Sequence, residues 1–92
     1  MSVTVRIPTP LRKLTQDQDI VTGDGGTLIA CIDGLEASFP GLKERLLDET
    51  GELRRFVNVY VNGEDVRFLS GLSTAIEADA EVSIVPAVAG GR

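Results

Sequence analysis

Val57-Asn58-Val59-Tyr60-Val61-Asn62-Gly63 is the run that decides the fold. Three valines at period two give one apolar face to a strand, because successive side chains point to opposite sides of a sheet. Phe56, Asn58, Tyr60 and Asn62 alternate with them and face the other way. Asn62-Gly63 predicts a hairpin turn, since both residues tolerate the positive φ that tight primed turns need. The return strand is then short, over residues 65–68. Beyond it a loop carries Leu72, Ala75 and Ile76, Asp79 stands at a turn, and Val82 and Ile84 point inward from a final strand over 81–85.

Upstream, Val3, Val5 and Ile7 alternate with Thr4 and Arg6, a second half-buried strand that Pro8 and Pro10 end. Leu11-Arg12-Lys13-Leu14 reads as an exposed, locally basic turn. Residues 19–22 can form a strand, with Gly23-Asp24-Gly25-Gly26 as the turn after it. Thr27 is a helix N-cap, followed by Leu28, Cys31, Ile32, Leu35 and Phe39 at amphipathic-helix spacing. Pro40-Gly41 stops that helix. A short helical piece follows with Leu42, Leu46 and Leu47 on one side, and then the polar loop 48–52. The order strand, strand, helix, strand, short strand, strand predicts an α+β roll of the ubiquitin-like, β-grasp type. In it a mixed sheet of four to five strands packs on one main helix.

Composition narrows the function. A chain of 92 residues makes one small domain, and 42% hydrophobic with 25% charged residues fits a globular chain. A net charge of −5 argues against nucleic acid, whose binding needs a basic stripe, and favours a partner with a basic face. There is no histidine and one cysteine, so Ser-His-Asp, Cys-His and paired-thiol zinc chemistry are excluded by inventory. The chain is not expected to be an enzyme by itself or to bind a cofactor or metal. No apolar run is long enough to span a bilayer and the N-terminus is not a leader, so a cytoplasmic location is expected.

After the last strand, Pro86 has no N–H for the ladder. Ala87-Val88-Ala89-Gly90-Gly91-Arg92 is too small to offset the entropy of ordering it. The expected division is a domain over 1–86 and a flexible tail over 87–92, thin enough to thread a narrow cleft.

With these residues in place, the sequence resembles the ubiquitin-like sulfur-carrier (MoaD/ThiS) family over its whole length. The marks are Val3-Thr4-Val5-Arg6-Ile7-Pro8, Thr27-Leu28, the 57–63 run, and Glu81-Val82-Ser83-Ile84-Val85-Pro86 leading into Ala87-Val88-Ala89-Gly90-Gly91. Arg55-Phe56-Val57-Asn58 with Glu64-Asp65-Val66-Arg67-Phe68 is most similar to the branch that feeds sulfide to a pyridoxal-phosphate cysteine synthase. The resemblance implies an adenylating, ubiquitin-activating-like partner that consumes ATP to activate the carboxylate of Gly91, next to Gly90. Sulfur then replaces the adenylate as a thiocarboxylate, and the sulfide passes to an acceptor enzyme for cysteine biosynthesis. Within the family the alternative is the small subunit of molybdopterin synthase, paired with its large subunit. Outside the carrier role stand a ubiquitin-like modifier, which forms isopeptide bonds, and a plain binding module. Arg92 departs from the family's Gly-Gly end, so a metalloprotease is expected to remove it. Asp79 stands where glycine is common and tolerates the left-handed region.

Among single residues, Cys31 on the apolar helix side reads as a buried small hydrophobe and not as a sulfur-handling thiol. Phe56 and Tyr60, opposite the valines, are candidates for a partner-docking patch, with sheet-edge cover as the plainer reading. Asp48-Glu49 and Glu64-Asp65 read as solvated loop charges. Arg12-Lys13 and Arg54-Arg55 do too, with contacts to acidic partner surfaces as the second reading.

Overall fold

Val3 and Val5 are fully buried while Thr4 and Arg6 face out, so the alternation expected at the start of the chain is realised in strand β1 (Ser2–Arg6). The structure is a computed structural model, and it describes residues 2–86. Strand β2 (Ile20–Asp24) pairs antiparallel with β1, Val5 lying opposite Val21 and Val3 opposite Gly23. The expected turn at Gly23-Asp24 is therefore strand. The reason is a close approach: a Cβ on Gly23 would lie 2.9 Å from Cys31 Sγ, so glycine lets helix and strand meet there. Between these strands a 3₁₀ helix (Thr9–Leu14) turns the chain. Leu11, expected to be exposed, is buried in the core, and Thr15 is buried with its hydroxyl bonded within the turn to the carbonyls of Arg12 and Gln18.

Helix α1 (Leu28–Ser38) is capped as expected, the Thr27 hydroxyl accepting from the Ala30 N–H. Leu28, Cys31, Ile32 and Leu35 are buried, and Phe39 is half-buried just past the helix end. Gly41 takes φ 100°, a left-handed angle that suits glycine, and opens the short helix α2 (Leu42–Leu46). Leu42, Leu46 and Leu47 close one side of the core.

Preceding α1, strand β3 is the pair Gly26–Thr27. Strand β4 (Val57–Val61) carries the three valines inward. The expected return strand is cut to β5 (Glu64–Asp65), because Val66–Phe68 winds into a 3₁₀ turn. Asp65 accepts from the Arg67 N–H, an internal cap that competes with a ladder. A further difference is strand β6 (Ala75–Ile76), which pairs antiparallel with β3 inside the stretch expected to be loop. Strand β7 (Glu81–Pro86) is last. Asp79 precedes it with φ 68°, as its turn role requires.

The main sheet has the order β2-β1-β7-β4-β5, with β1 and β7 parallel at its centre and antiparallel neighbours outside. Helix α1 covers one face, its leucines and Cys31 meeting Val5, Val59, Val82 and Ile84. This is the expected β-grasp roll with five strands and one main helix. Among the described residues no buried side-chain polar atom lacks a partner.

Candidate functional site

The final strand carries the chain out of the sheet centre. Val57 lies opposite Pro86 and Val59 opposite Ile84, so β4 holds β7 up to its last residue. On the other edge β1 lets go earlier, its register ending where Arg6 meets Ser83. Pro86 therefore sits where only one neighbour remains, and its missing N–H costs no bond toward β1. The six residues after it, Ala87, Val88, Ala89, Gly90, Gly91 and Arg92, lie outside the described residues, and so does the division drawn at 86.

Around Pro86 lies an open groove of about 530 Å³, formed by Pro10 and Leu11 from the 3₁₀ helix, Arg45 from α2, and Arg54, Val57 and Ile84 from the β4–β7 side. Glu44 also lines it. Arg54 Nε donates to the Glu44 carbonyl at 3.0 Å, and Arg67 donates to the Arg54 carbonyl and to Asn58 Oδ1, both at 2.8 Å. These bonds tie the turn before β4 to α2 and to the 3₁₀ turn after β5.

The two aromatic candidates separate. Tyr60 lies in β4, half-buried on the sheet face away from α1, opposite Ser83 and Asp65. Phe56 is in the turn closed by the Val57 N–H on the Arg54 carbonyl, before the strand begins, and is 52% exposed. Period two thus assigns the open face to Tyr60 alone. Phe68 was not singled out and is 87% exposed; Ile20 and Val85 are also exposed, on the outer side of β2 and β7. The alternation in 81–85 carried that signal for Val85, which falls out of phase with Val82 and Ile84. For Phe68 there is none, because the return strand expected over 65–68 is a 3₁₀ turn at Val66–Phe68, which has no period-two face.

Cys31 is buried, and burial first, then the charge of Asp24, pushes its thiol pKa up. A desolvated neutral thiol packed on Gly23 is a core atom, as read from its helix position. Asp48 accepts from the Thr50 and Glu52 N–H groups and the Thr50 hydroxyl, closing its own loop, and these bonds lower its pKa. Glu36 accepts from the N–H groups of Lys43 and Gly41 at the start of α2, which lowers its pKa as well. Asp65 caps its turn. Each of these carboxylates has a structural occupation. Among the described residues no cluster of three or more His, Cys, Asp or Glu side chains could hold a metal ion, and no helix is long and apolar enough to cross a membrane.

Comparison with known proteins agrees with this geometry. The ThiS family model matches residues 5–91, across the strands, the helix and the Gly-Gly positions. The chain is 56% identical over 93 residues to the sulfur carrier protein CysO of Mycobacterium tuberculosis, covering 99% of this chain and 100% of the relative. A crystal structure of the BexX/CysO complex of Amycolatopsis orientalis contains a chain that superposes with a TM-score of 0.92 at 47% identity, covering 97% of this chain and 99% of that one. The crystal structure of M. tuberculosis CysO superposes with a TM-score of 0.90 at 55% identity, covering 94% and 99%.

Proposed function

The chain belongs to the ThiS family, and from that premise we propose that it is a sulfur-carrier protein serving cysteine biosynthesis. The observation that carries the reading is 56% identity to a sulfur carrier protein along essentially its full length. The reaction assigns every catalytic task to partners. A carboxylate is a poor electrophile until it holds a good leaving group. In the reading, an adenylating enzyme joins the Gly91 carboxylate to the adenylyl group of ATP and releases pyrophosphate. A sulfur donor then displaces AMP and leaves a thiocarboxylate, which passes its sulfur to an acceptor enzyme. Both partner sites exclude water, so that the activated acyl group is not hydrolysed. Gly90 and Gly91 have no side chain to obstruct a narrow cleft.

Arg92 follows Gly91 in the sequence and has to leave before Gly91 can carry sulfur, which is work for a metal-dependent peptidase. ATP is the activating enzyme's substrate and is not bound by the carrier. The domain contributes the docking surface and a last strand that ends at Pro86, directly before the tail in sequence.

The test is the intact mass of the protein purified from its own host, with fragmentation of the C-terminal peptide. Loss of arginine and replacement of one oxygen by sulfur at Gly91 is the expected result. Lysine conjugates through Gly91 would overturn it in favour of a modifier. Full function after deletion of residues 89–92 would leave a binding module.

A further inference from the structure

We propose that the end of the domain from which the tail departs carries a basic collar, and that this collar docks on an acidic rim around the cleft of the adenylating enzyme. The inference rests on the sulfur-carrier reading and adds what recognises the approaching domain.

Residues 2–86 contain eight lysines and arginines. Arg6 is paired with Glu81 and Lys43 with Asp33. The other six, Arg12, Lys13, Arg45, Arg54, Arg55 and Arg67, make no ion pair among the described residues. All six gather at the tail-bearing end. Arg45 and Arg54 line the groove with Pro86, and Arg12 and Lys13 follow Leu11, which lines it too. Arg55 continues from Arg54 toward Val57, the neighbour of Pro86, and Arg67 is bonded to Asn58, the neighbour of Val85. The nearby acids are Glu44 in the groove, Asp48 and Glu49 with Arg54 on the adjoining cleft, Asp65 beside Arg67, and Asp17 beyond the 3₁₀ helix.

Three of the guanidinium groups are held by backbone carbonyls. Arg12 Nε donates to the Ile7 carbonyl at 3.0 Å, Arg54 to Glu44 and Arg67 to Arg54. A carbonyl orients a guanidinium without cancelling its charge, so the remaining N–H donors stay available for carboxylates. The opposite end carries Glu64, Glu77 and Asp79 beside the β4–β5 hairpin and the start of β7, where Glu81, paired with Arg6, lies about 17 Å from Pro86 at ~3.3 Å per strand residue. The net charge of −5 suggested a basic partner surface; the distribution reverses that for the end that has to reach the cleft. A charge-polarised carrier is turned tail-first toward an acidic opening during encounter.

The test is carrier-dependent ATP–pyrophosphate exchange by the host's adenylating enzyme, with the chain processed to Gly91. Lys13→Glu with Arg55→Glu is the first variant, because both residues are exposed and their side chains make no hydrogen bond among the described residues. Near 50 mM salt the KM for the carrier should rise about tenfold or more, and the gap should close near 300 mM, where surface charges are screened beyond about 6 Å. Adding Glu64→Lys and Glu77→Lys restores the net charge and should leave KM raised; rescue by that pair would overturn the collar in favour of simple net charge. Arg45→Glu is a separate probe should the double variant fail to fold. Exchange by the wild-type chain with a KM indifferent to the reversals, or lowered by them, overturns the collar and leaves the carrier role. Absence of exchange by the wild-type chain overturns both.

Discussion

Gly23→Ala should destabilise the domain, and its sign should reverse when Cys31 is cut back to alanine. The new Cβ would stand 2.9 Å from Cys31 Sγ and 3.4 Å from Val5 Cγ2. The first distance cannot persist, so either the sulfur rotates against Leu35 or strand and helix part by several tenths of an ångström. Overpacking of this kind costs ~1–3 kcal/mol. Against it stands a gain of about 0.4–1 kcal/mol, because alanine has fewer unfolded conformations than glycine and Gly23 has no left-handed angle to lose. The net expectation is a loss of roughly 0.5–2 kcal/mol, or a fall in Tm of several degrees for a domain of this size. In the Cys31→Ala background the sulfur is gone. The same change should then be neutral or stabilising by up to about 1 kcal/mol. Urea unfolding of the four proteins, with equal m-values, measures the coupling. If Gly23→Ala has the same effect in both backgrounds to within about 0.5 kcal/mol, the packing account of this glycine is wrong.

Acid should weaken the fold through Glu36 and Asp48. Hydrogen bonds lower both pKa values in the folded chain, so the unfolded chain binds more protons and stability is lost as pH falls below the ordinary carboxylate range. Glu36→Gln should flatten that slope between about pH 5 and 3 in urea melts taken across pH. Thr27→Ala removes the α1 cap and should cost about 1 kcal/mol by denaturant midpoint, with Thr27→Ser nearly silent. Asn62 has φ 52° and its Oδ1 accepts from the Glu81 N–H. Asn62→Gly should therefore be milder than Asn62→Ala, which adds left-handed strain of about 1 kcal/mol; equal losses would place the whole effect in the hydrogen bond. Cys31→Ala should leave sulfur loading of Gly91 intact in a mass assay of folded protein.

Several features were legible because a local rule generated them. Thr27 caps α1 since a hydroxyl two to three residues ahead of free N–H groups has nowhere better to bond. Val57, Val59 and Val61 all face the core because a strand has period two. Asp79 and Asn62 were placed in turns and do take positive φ. The misreadings have a common cause. Gly23-Asp24 has turn composition, yet glycine is there for a helix passing overhead. Leu11 sat among charges and prolines, but one residue in a 3₁₀ helix has no period to betray that it is buried. The β3–β6 pair has two residues on each side, too short for any pattern.

The sequence by itself determined the order of the main helix and the longer strands, the faces of β1, α1 and β4, the lack of a histidine or a second cysteine, and a small-residue run ending in Gly90-Gly91-Arg92. Those properties are local or compositional, and neighbours along the chain are enough to specify them. Only the tertiary structure decided that β1 and β7 lie side by side, that Gly23 meets Cys31, and that Leu11, Arg45 and Arg54 meet at one groove around Pro86. Those are meetings of segments far apart in sequence. They are set by how the helix and sheet bury a shared core, and no pattern within one segment encodes its distant neighbour.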